Sequence, residues 1–331
     1  MKKVLITGAN GFIGSHLTEE ALSNGFNVFA GIRKTSDLSN IGNLPVTFIE
    51  IDFSDKEKIK KTLTKYGRFD YIIHNAGLTK SCKKHMFYEV NYENTKRFIE
   101  VLFETDSIPE KFVYMSSLAA YGPVYEATLR PVDNFTIPNP ISEYGKSKLK
   151  TEQFIVSRKK FPYLIFRPTG VYGPREKDYY VLFKNIKNKI ETYGGIKNQQ
   201  LTFVYVLDLV RLIVKAMTSD IANKSYFVTD LNQYTAIEFN KIIKEELNVK
   251  TLTLVFPKSF VRIIAFLNEK LACMFLNKVP TLNRDKCREL IKEKWLCDSS
   301  PLVNDFDYRP EFNLQKGVHN VIQWYVKEKL L

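Results

Sequence analysis

The stretch that decides the fold is Lys2-Lys3-Val4-Leu5-Ile6-Thr7, which leads directly into Gly8-Ala9-Asn10-Gly11-Phe12-Ile13-Gly14. The apolar run predicts a buried parallel strand. Three glycines follow, with two residues between each pair, and apolar residues then recur at helical spacing through Leu22. A glycine pattern that follows a strand and opens a helix is typical of a dinucleotide-binding turn.

Each glycine of this turn has a physical task. Gly8 permits the tight turn, Gly11 lets the backbone approach a pyrophosphate, and Gly14 lets the helix pack closely on the strand. The helix N-terminus offers free N–H groups to the phosphates. An ordinary strand-to-helix turn is the alternative, but its place at the start of an alternating chain favours a cofactor site. We therefore predict that Gly8, Gly11, Phe12, Ile13 and Gly14 contact a nicotinamide dinucleotide.

The end of the second predicted strand, Asn27–Ile32, bears on which dinucleotide is bound. An NAD site usually has an acidic residue there for the ribose 2′-hydroxyl. Ile32 occupies that place, and Arg33 and Lys34 follow. Because a guanidinium pairs bidentately with phosphate, Arg33 predicts a preference for NADP, with NAD as the alternative cofactor. A basic loop in a basic protein would also explain these residues.

The rest of the first half predicts an α/β fold with a doubly wound parallel sheet, because strand and helix patterns alternate regularly. The further predicted strands are Val46–Ile51, Asp70–His74, Lys111–Met115 and Phe161–Phe166. Ligands of such sheets bind at the carboxyl ends of the strands. The residues at those ends are Asp52, Phe53, Asn75, Ala76, Gly77 and Ser117, and a predicted helix from about Phe87 to Glu104 carries Asn91.

A second chemical signal lies on the helix that Ser142 opens. Tyr144 and Lys148 are four residues apart and therefore share one helical face. A phenol with a pKa of about 10 is a poor base at neutral pH, but a nearby ammonium favours its phenolate form. If Ser117 holds a carbonyl or alcohol oxygen, Tyr144 can move a proton on that oxygen while hydride moves at the carbon.

Beyond the sixth predicted strand the alternation becomes irregular. We expect residues 1–167 to form a Rossmann-type nucleotide-binding domain, to which residues 201–229 return. Residues 168–200 and 230–331 are expected to form a smaller α/β portion that binds the substrate.

The composition indicates an ordinary globular protein, with 44% hydrophobic residues and a formal net charge of +13. Because the basic residues are scattered and no nucleic-acid-binding motif is present, we expect a Lys-rich surface or an anionic small molecule rather than nucleic acid.

The first strand begins at Lys2 and no apolar run reaches spanning length, so we expect neither a signal peptide nor a transmembrane segment. The sparse cysteines lack metal-ligand spacing, which predicts no metal site, reduced thiols and a cytoplasmic location. They are Cys82, Cys273, Cys287 and Cys297.

The stretch from Phe260 to Leu276 is rich in Phe, Ile and Leu, but charged residues interrupt it. We expect it to pack in the core or in a lid. An apolar substrate pocket and contact with a membrane surface are the less favoured alternatives.

These motifs together resemble the extended short-chain dehydrogenase/reductase family, over nearly the whole chain. The matching residues are Thr7-Gly8-x-x-Gly11-x-x-Gly14, Asp52, His74-Asn75-Ala76-Gly77, Asn91, Ser116-Ser117 ahead of Tyr121-Gly122, Tyr144-x-x-x-Lys148, Arg167-Pro168 through Tyr172-Gly173-Pro174, and Trp295, Cys297-Asp298 and Tyr308-Arg309-Pro310 near the end. The resemblance implies that Ser117, Tyr144 and Lys148 are catalytic, with Ser117 preferred over Ser116 because it stands four residues before Tyr121. It implies that Tyr144, Lys148, Asn91, Pro168 and Val171 also belong to the cofactor site, that Asn91 kinks its helix or relays protons, and that the protein is a homodimer.

Within the family, two positions discriminate between activities. Sugar dehydratases carry an acidic pair after the catalytic hydroxyl, where this chain has Leu118-Ala119. Epimerases usually carry a diphosphate-binding Arg seven residues before the Asp that matches Asp208, where this chain has Leu201. The sequence is therefore closer to the reductase and 3β-hydroxysteroid-dehydrogenase branch. We expect an NAD(P)-dependent oxidoreductase of a small-molecule carbonyl or alcohol. A nucleotide-sugar 4-epimerase with tightly bound NAD is the alternative, and a non-catalytic NADP sensor is least favoured.

Overall fold

A computed structural model describes residues 1–125, 130–276 and 280–331 of the chain. The strands, in chain order, are β1 (Lys3–Thr7), β2 (Asn27–Ile32), β3 (Thr47–Glu50), β4 (Tyr71–His74), β5 (Lys111–Met115), β6 (Tyr163–Pro168), β7 (Gly170–Tyr172), β8 (Ile190–Gly194), β9 (Gln200–Leu201), β10 (Phe203–Tyr205), β11 (Lys224–Val228), β12 (Tyr234–Thr235), β13 (Leu252–Phe256) and β14 (Lys294–Trp295).

The helices surround these strands. They are α1 (Phe12–Ser23), α2 (Lys56–Tyr66), α3 (His85–Phe87), α4 (Asn94–Glu104), α5 (Glu143–Val156), α6 (Asp178–Lys187), α7 (Val206–Met217), α8 (Ala236–Leu247), α9 (Lys258–Leu271), α10 (Arg284–Leu290), α11 (Ser300–Phe306) and α12 (Leu314–Lys327). Two π-helical segments, Tyr88–Glu93 and Ala272–Leu276, and a 3₁₀ turn, Leu118–Ala120, complete the set.

The central sheet confirms the predicted doubly wound fold. Within the described residues its strand order is β11-β6-β5-β4-β1-β2-β3, and every pairing in it is parallel. β4 and β5 are buried along their whole length, as expected of strands covered on both faces. The chain reverses its direction of winding between β1 and β4. That reversal opens a crevice at the carboxyl ends of these two strands, where ligands bind in such sheets.

Apolar cores lie on both faces of this sheet. On one face Leu17 of α1 and Ile213 of α7 pack against the strands. On the other face Ile59 of α2, Phe98 of α4 and Ile155 of α5 do the same. The core therefore fixes the helices that carry the predicted site residues.

The later part of the chain builds smaller units beside the sheet. β10 pairs with β7, β13 pairs with β8, and β9 lies between β12 and β14. An aromatic cluster that includes Tyr172, Phe203 and Phe239 supports the first of these pairs. β11, from the segment expected to return to the nucleotide domain, lies at the edge of the central sheet. The proposed domain boundaries stay a prediction.

The expectation that all four cysteines are reduced is wrong for two of them. Cys82, in the loop after β4, and Cys273, just after α9, form a disulfide with their Cα atoms 5.9 Å apart. The two residues are 191 positions apart in the sequence, so no local pattern signals the pairing. Cys287 and Cys297 are buried free thiols.

The stretch from Phe260 to Leu276 is less buried than the favoured expectation requires. Only Val261 and Ala265 of α9 are buried, whereas Phe260, Ile263 and Leu267 are exposed. These exposed side chains therefore belong neither to the core nor to an enclosed pocket.

Two ranges fall partly outside the described residues. The expected nucleotide-binding range 1–167 contains residues 126–129, and the expected substrate-binding range 230–331 contains residues 277–279. Among the described residues, no helix has both the length and the apolar character needed to cross a membrane.

The contact between Gly14 and Gly8 yields a first prediction. A Cβ atom on Gly14 would lie 2.0 Å from the Gly8 carbonyl oxygen, and backbone cannot move aside as a side chain can. We expect Gly14→Ala to lower the free energy of unfolding by about 1–3 kcal/mol, the usual cost of overpacking. Gly194→Ala is the matched control, because its Cβ would meet only Val261 side-chain atoms at 3.7 and 3.9 Å. Equal urea-unfolding midpoints for the two variants would contradict the prediction.

Candidate active site

A cavity of about 510 Å³ lies in the crevice at the carboxyl ends of the central strands. Its size suits a cofactor or substrate-sized ligand. The predicted site residues on its wall are Gly8, Gly11, Arg33, Asp52, Phe53, Asn75, Ala76 and Gly77. The sheet topology has therefore brought together residues that are up to 69 positions apart in the sequence.

The glycine turn forms one end of the cavity. Gly8 has a φ of +65°, a conformation that side chains disfavour. A Cβ there would also lie only 2.9 Å from the Ala76 Cα, so there is no room for a side chain. Gly11 precedes α1, and no side-chain hydrogen bond caps this helix in the described structure. The backbone N–H groups of the first helical turn are therefore available to an anion. Phe12 and Ile13 direct apolar side chains against the sheet core, so only their backbones suit the predicted contact.

The part of the cavity wall that follows β2 and β3 carries charges of both signs. Arg33 is exposed on the rim, and its backbone N–H donates to Ser36 Oγ at 3.0 Å. Hydrogen bonds from Ser54 and Lys58 lower the pKa of Asp52 to about 2, against the opposing effect of burial. Lys58 Nζ lies 2.9 Å from Asp52 Oδ2. The Asp52 carboxylate is therefore ionised and held in place at neutral pH.

The loop after β4 is tied to the glycine turn by buried hydrogen bonds. The Ala76 N–H donates to Thr7 Oγ1 at 3.0 Å, and Asn75 Nδ2 donates to the Gly8 carbonyl at 3.4 Å. His74 bridges Thr7 and Thr95 through its two ring nitrogens, at 3.0 and 2.9 Å. Burial, and secondarily the charge of Lys148, lower the pKa of His74 to about 3. His74 is therefore a neutral structural link.

Asn91 links that loop to α5 and does not line the cavity. It lies in the π-helical segment Tyr88–Glu93, so its helix is widened at this point. Its Oδ1 accepts the Leu78 N–H at 2.7 Å, and its Nδ2 donates to the Leu78 carbonyl at 3.0 Å and to Ser147 Oγ at 2.9 Å. These contacts set the distance between the cavity wall and α5.

The structure brings Ser117, Tyr144 and Lys148 together. Tyr144 lies in the first turn of α5, which Ser142 caps by accepting the Gly145 N–H at 3.1 Å. Burial raises the pKa of Tyr144 to about 12, whereas a hydrogen bond with Ser117 lowers it. Lys148 Nζ donates to the Met115 carbonyl at 2.7 Å and lies 6.0 Å from the centre of the Tyr144 ring. Burial lowers the pKa of Lys148 to about 8, so its proton can be exchanged near neutral pH.

Ser117, and not Ser116, is available for chemistry. The Ser116 hydroxyl is buried against Glu152, which also accepts two hydrogen bonds from the Arg167 guanidinium, at 3.0 and 2.8 Å. The Ser117 hydroxyl accepts the Ala119 N–H at 3.1 Å at the start of the 3₁₀ turn and reaches Tyr144. The two hydroxyls therefore have different partners, and the choice of Ser117 as the catalytic serine stays a prediction.

Lys148 connects this group to the cavity. A Cβ atom on the cavity residue Gly77 would lie 3.2 Å from Lys148 Nζ. Pro168, at the end of β6, and Val171, on β7, are not among the residues that line the cavity. Their contact with a cofactor stays a prediction.

Three charged residues of α10 lie at the amino end of α5 and were not predicted from the sequence. Asp285 accepts the backbone N–H groups of Glu143 and Tyr144, at 2.8 and 3.1 Å. Glu289 accepts the Ser142 hydroxyl at 2.8 Å and pairs with Lys286 at 3.2 Å. The sequence could have indicated only that these residues share one side of a short helix, because their spacing is helical.

The charge of Glu289 yields a prediction about proton affinity. Glu289 raises the pKa of Tyr144, because a nearby negative charge disfavours phenolate, and Lys286 lowers it. We expect Glu289→Gln to ionise Tyr144 at a lower pH than in the wild type. The measurement is an NMR titration of protein labelled with ¹³C at tyrosine Cζ, with the resonance assigned through Tyr144→Phe. Glu293→Gln is the control, and an unchanged or higher midpoint in Glu289→Gln would refute the assignment.

Known proteins resemble this chain in both sequence and structure. The model of the NAD dependent epimerase/dehydratase family matches residues 4–228. A Methanocaldococcus jannaschii protein named putative UDP-glucose 4-epimerase is 26% identical over 338 residues, which cover 97% of each chain. The dTDP-D-glucose 4,6-dehydratase of Mus musculus is 23% identical, over 98% of this chain and 89% of its own. The structure of Thermotoga maritima UDP-glucose 4-epimerase with UDP-glucose superposes with a TM-score of 0.81, at 21% identity and 99% coverage of both chains.

Proposed function

The chain belongs to the NAD-dependent epimerase/dehydratase family, and from that membership we propose that it transfers hydride at an oxygen-bearing carbon of a small molecule, with Ser117, Tyr144 and Lys148 as its catalytic residues. The observation that supports the proposal is that Ser117 lies close enough to Tyr144 to lower the pKa of its phenol, beside a lysine that adjoins the crevice cavity. The intact group argues against a non-catalytic sensor, which has no need of it.

The roles of the three residues follow from their chemistry. In the direction of alcohol oxidation, Ser117 orients the substrate hydroxyl and Tyr144, as phenolate, accepts its proton. In the reverse direction the Tyr144 phenol returns that proton to the carbonyl oxygen. The Lys148 ammonium favours phenolate and offsets part of the cost of burial. The nicotinamide supplies or accepts the hydride when it is bound.

We further propose a reaction with net oxidation or reduction. Leu201, on β9, packs against the aromatic cluster and offers a diphosphate no hydrogen bond. Arg175, a further cation in this part of the chain, already binds Glu19 at 2.6 and 3.1 Å and Ser15 at 3.1 Å. Leu118 and Ala119 are buried apolar residues beside Ser117, so the acidic pair of dehydratases has no counterpart there. These features support an NAD(P)-dependent oxidoreductase.

A second candidate is a nucleotide-sugar 4-epimerase that retains NAD through the reaction. The full-length match to a protein named putative UDP-glucose 4-epimerase favours it. The two candidates differ in what the substrate must present, because only the epimerase requires a nucleoside diphosphate. The exposed outward residues of α9 supply no apolar pocket, so they no longer support an apolar substrate.

A thermal-shift panel separates these candidates. We expect UDP-, GDP- and dTDP-sugars, added with NADP, to raise the melting temperature no more than the free nucleotides do, since Leu201 and Arg175 leave the diphosphate unbound. Mass and absorbance of any nicotinamide released from the purified protein provide the second measurement. Clear stabilisation by one nucleotide sugar, together with co-purified NAD, would replace the first candidate with the epimerase.

The cofactor preference is the second element of the proposal. Arg33 and Lys34 both lie on the cavity wall, where a 2′-phosphate would meet cations. We expect calorimetry to show tighter binding of NADPH than of NADH. Charge-assisted bonds contribute about 1.5–3 kcal/mol, so Arg33→Ala should reduce the preference by about tenfold or more. Arg309→Ala, at an exposed site paired with Asp307, is the control. Tighter binding of NADH by the wild type would overturn the preference.

Replacement of the phenol tests the chemistry. We expect Tyr144→Phe to lower turnover by about 10²–10⁴-fold, the usual contribution of a general acid–base group, with cofactor affinity nearly unchanged. Turnover is followed by NADPH absorbance with a panel of aldehydes and ketones, and by interconversion of UDP-glucose and UDP-galactose. Tyr180→Phe is the control, because its hydroxyl only donates to the Leu330 carbonyl at 2.9 Å. Near-normal turnover of Tyr144→Phe would exclude the mechanism for either candidate.

The predicted homodimer and the predicted cytoplasmic location stay predictions.

A further inference from the structure

Helix α9 has two apolar faces. The inner face, Val261 and Ala265, packs with Cys287 and Ile291 in a small buried cluster. The outer face carries large side chains at intervals of three and four residues, which align as one stripe along the helix. We call these the outer stripe: Phe260, Ile263, Leu267 and Leu271, exposed by 43, 56, 48 and 55%. Met274, just beyond the helix, is exposed by 61%.

Positive charge is also exposed on α9, with Lys270 three residues after Leu267 of the stripe and Arg262 four residues before the exposed Phe266. Arg262 and Lys270 are exposed, and within the described parts of the chain neither forms an ion pair. The acidic residue of the helix, Glu269, is bound by the Arg284 guanidinium at 2.9 and 2.7 Å. The whole chain carries a net charge of +13. The exposed surface of α9 therefore combines large apolar side chains with two cations that form no ion pair within the described residues.

Contacts on the inner face and at the carboxyl end hold α9 against the rest of the protein. The outer stripe therefore does not need to pack inward for α9 to stay folded. The Cys82–Cys273 disulfide joins its carboxyl end to the loop after β4. The contact of Glu269 with Arg284 and the buried cluster join it to α10. A ligand of the outer stripe would therefore meet a preformed surface.

We infer that the outer face of α9 docks on an anionic lipid surface. An amphipathic helix that lies in the membrane plane buries its apolar side chains at the headgroup boundary, while Lys and Arg attract anionic lipids. A stable protein partner needs about 20–30 residues on each side, which is far more than one narrow stripe supplies. The docking does not rest on the proposed function, because none of its residues belongs to the catalytic group.

The test is flotation of the full chain with phosphatidylcholine vesicles, with and without phosphatidylglycerol. We expect binding to the anionic vesicles and weakening of that binding by added salt. Ile263→Ser with Leu267→Ser should reduce binding at least tenfold. Val326→Ser with Leu330→Ser, which alters exposed apolar residues of the last helix and the residues after it, should leave binding unchanged. Arg262→Ala with Lys270→Ala should weaken binding about fivefold for each charge removed.

Three outcomes would overturn the inference. The first is absence of wild-type binding to anionic vesicles. The second is equal binding by wild type and the Ile263→Ser, Leu267→Ser variant, with circular dichroism showing both folded. The third is concentration-dependent self-association of the wild type that the same variant abolishes, without vesicle binding, since the outer stripe would then contact a second copy of the chain.

Discussion

The buried ion pair between Arg167 and Glu152 fixes helix α5 on the central sheet. Both side chains are nearly inaccessible to solvent, and two hydrogen bonds join them. Breaking such a pair leaves an uncompensated buried charge, which typically costs about 3–5 kcal/mol. Because Glu152 also holds Ser116 at the end of β5, the pair sets the position of α5 relative to two neighbouring strands. The separation of Ser117, on the loop after β5, from Tyr144 and Lys148, on α5, depends on that position.

The same helix is also fixed at its amino end, by a different part of the chain. Asp285 satisfies two backbone N–H groups of the first turn, and its carboxylate lies favourably at the positive end of the helix. Glu289 and Lys286 then place one negative and one positive charge within reach of Tyr144, with opposite effects on its pKa. The proton affinity of the phenol is therefore set jointly by the nucleotide-binding sheet and by α10.

The sheet and part of the site could be predicted from local sequence patterns. Contacts between residues far apart in the sequence could not, because local patterns do not encode them. The glycine turn and the pair Tyr144 and Lys148 follow from short spacings, because three- and four-residue intervals determine shared helical faces. The disulfide, and the approach of Asp285 to α5, join residues more than 140 positions apart, and nothing local specifies them. The apolar content of α9 was evident, but periodicity could not reveal which of its two apolar faces is buried.

Helix α9 contacts α10, and α10 in turn contacts the helix that carries Tyr144 and Lys148. The Glu269–Arg284 ion pair and the cluster around Cys287 join the two helices, and Asp285 is the next residue after Arg284. A continuous series of contacts therefore runs from α9 to the Asp285 carboxylate at the amino end of α5. The buried cluster is small, with four buried members among the described residues, so α9 and α10 are held less firmly than the helices on the sheet. A lipid surface at the outer stripe would therefore be separated from Tyr144 by two packed helices, since α9 contacts α10 and Asp285 of α10 contacts the first turn of α5.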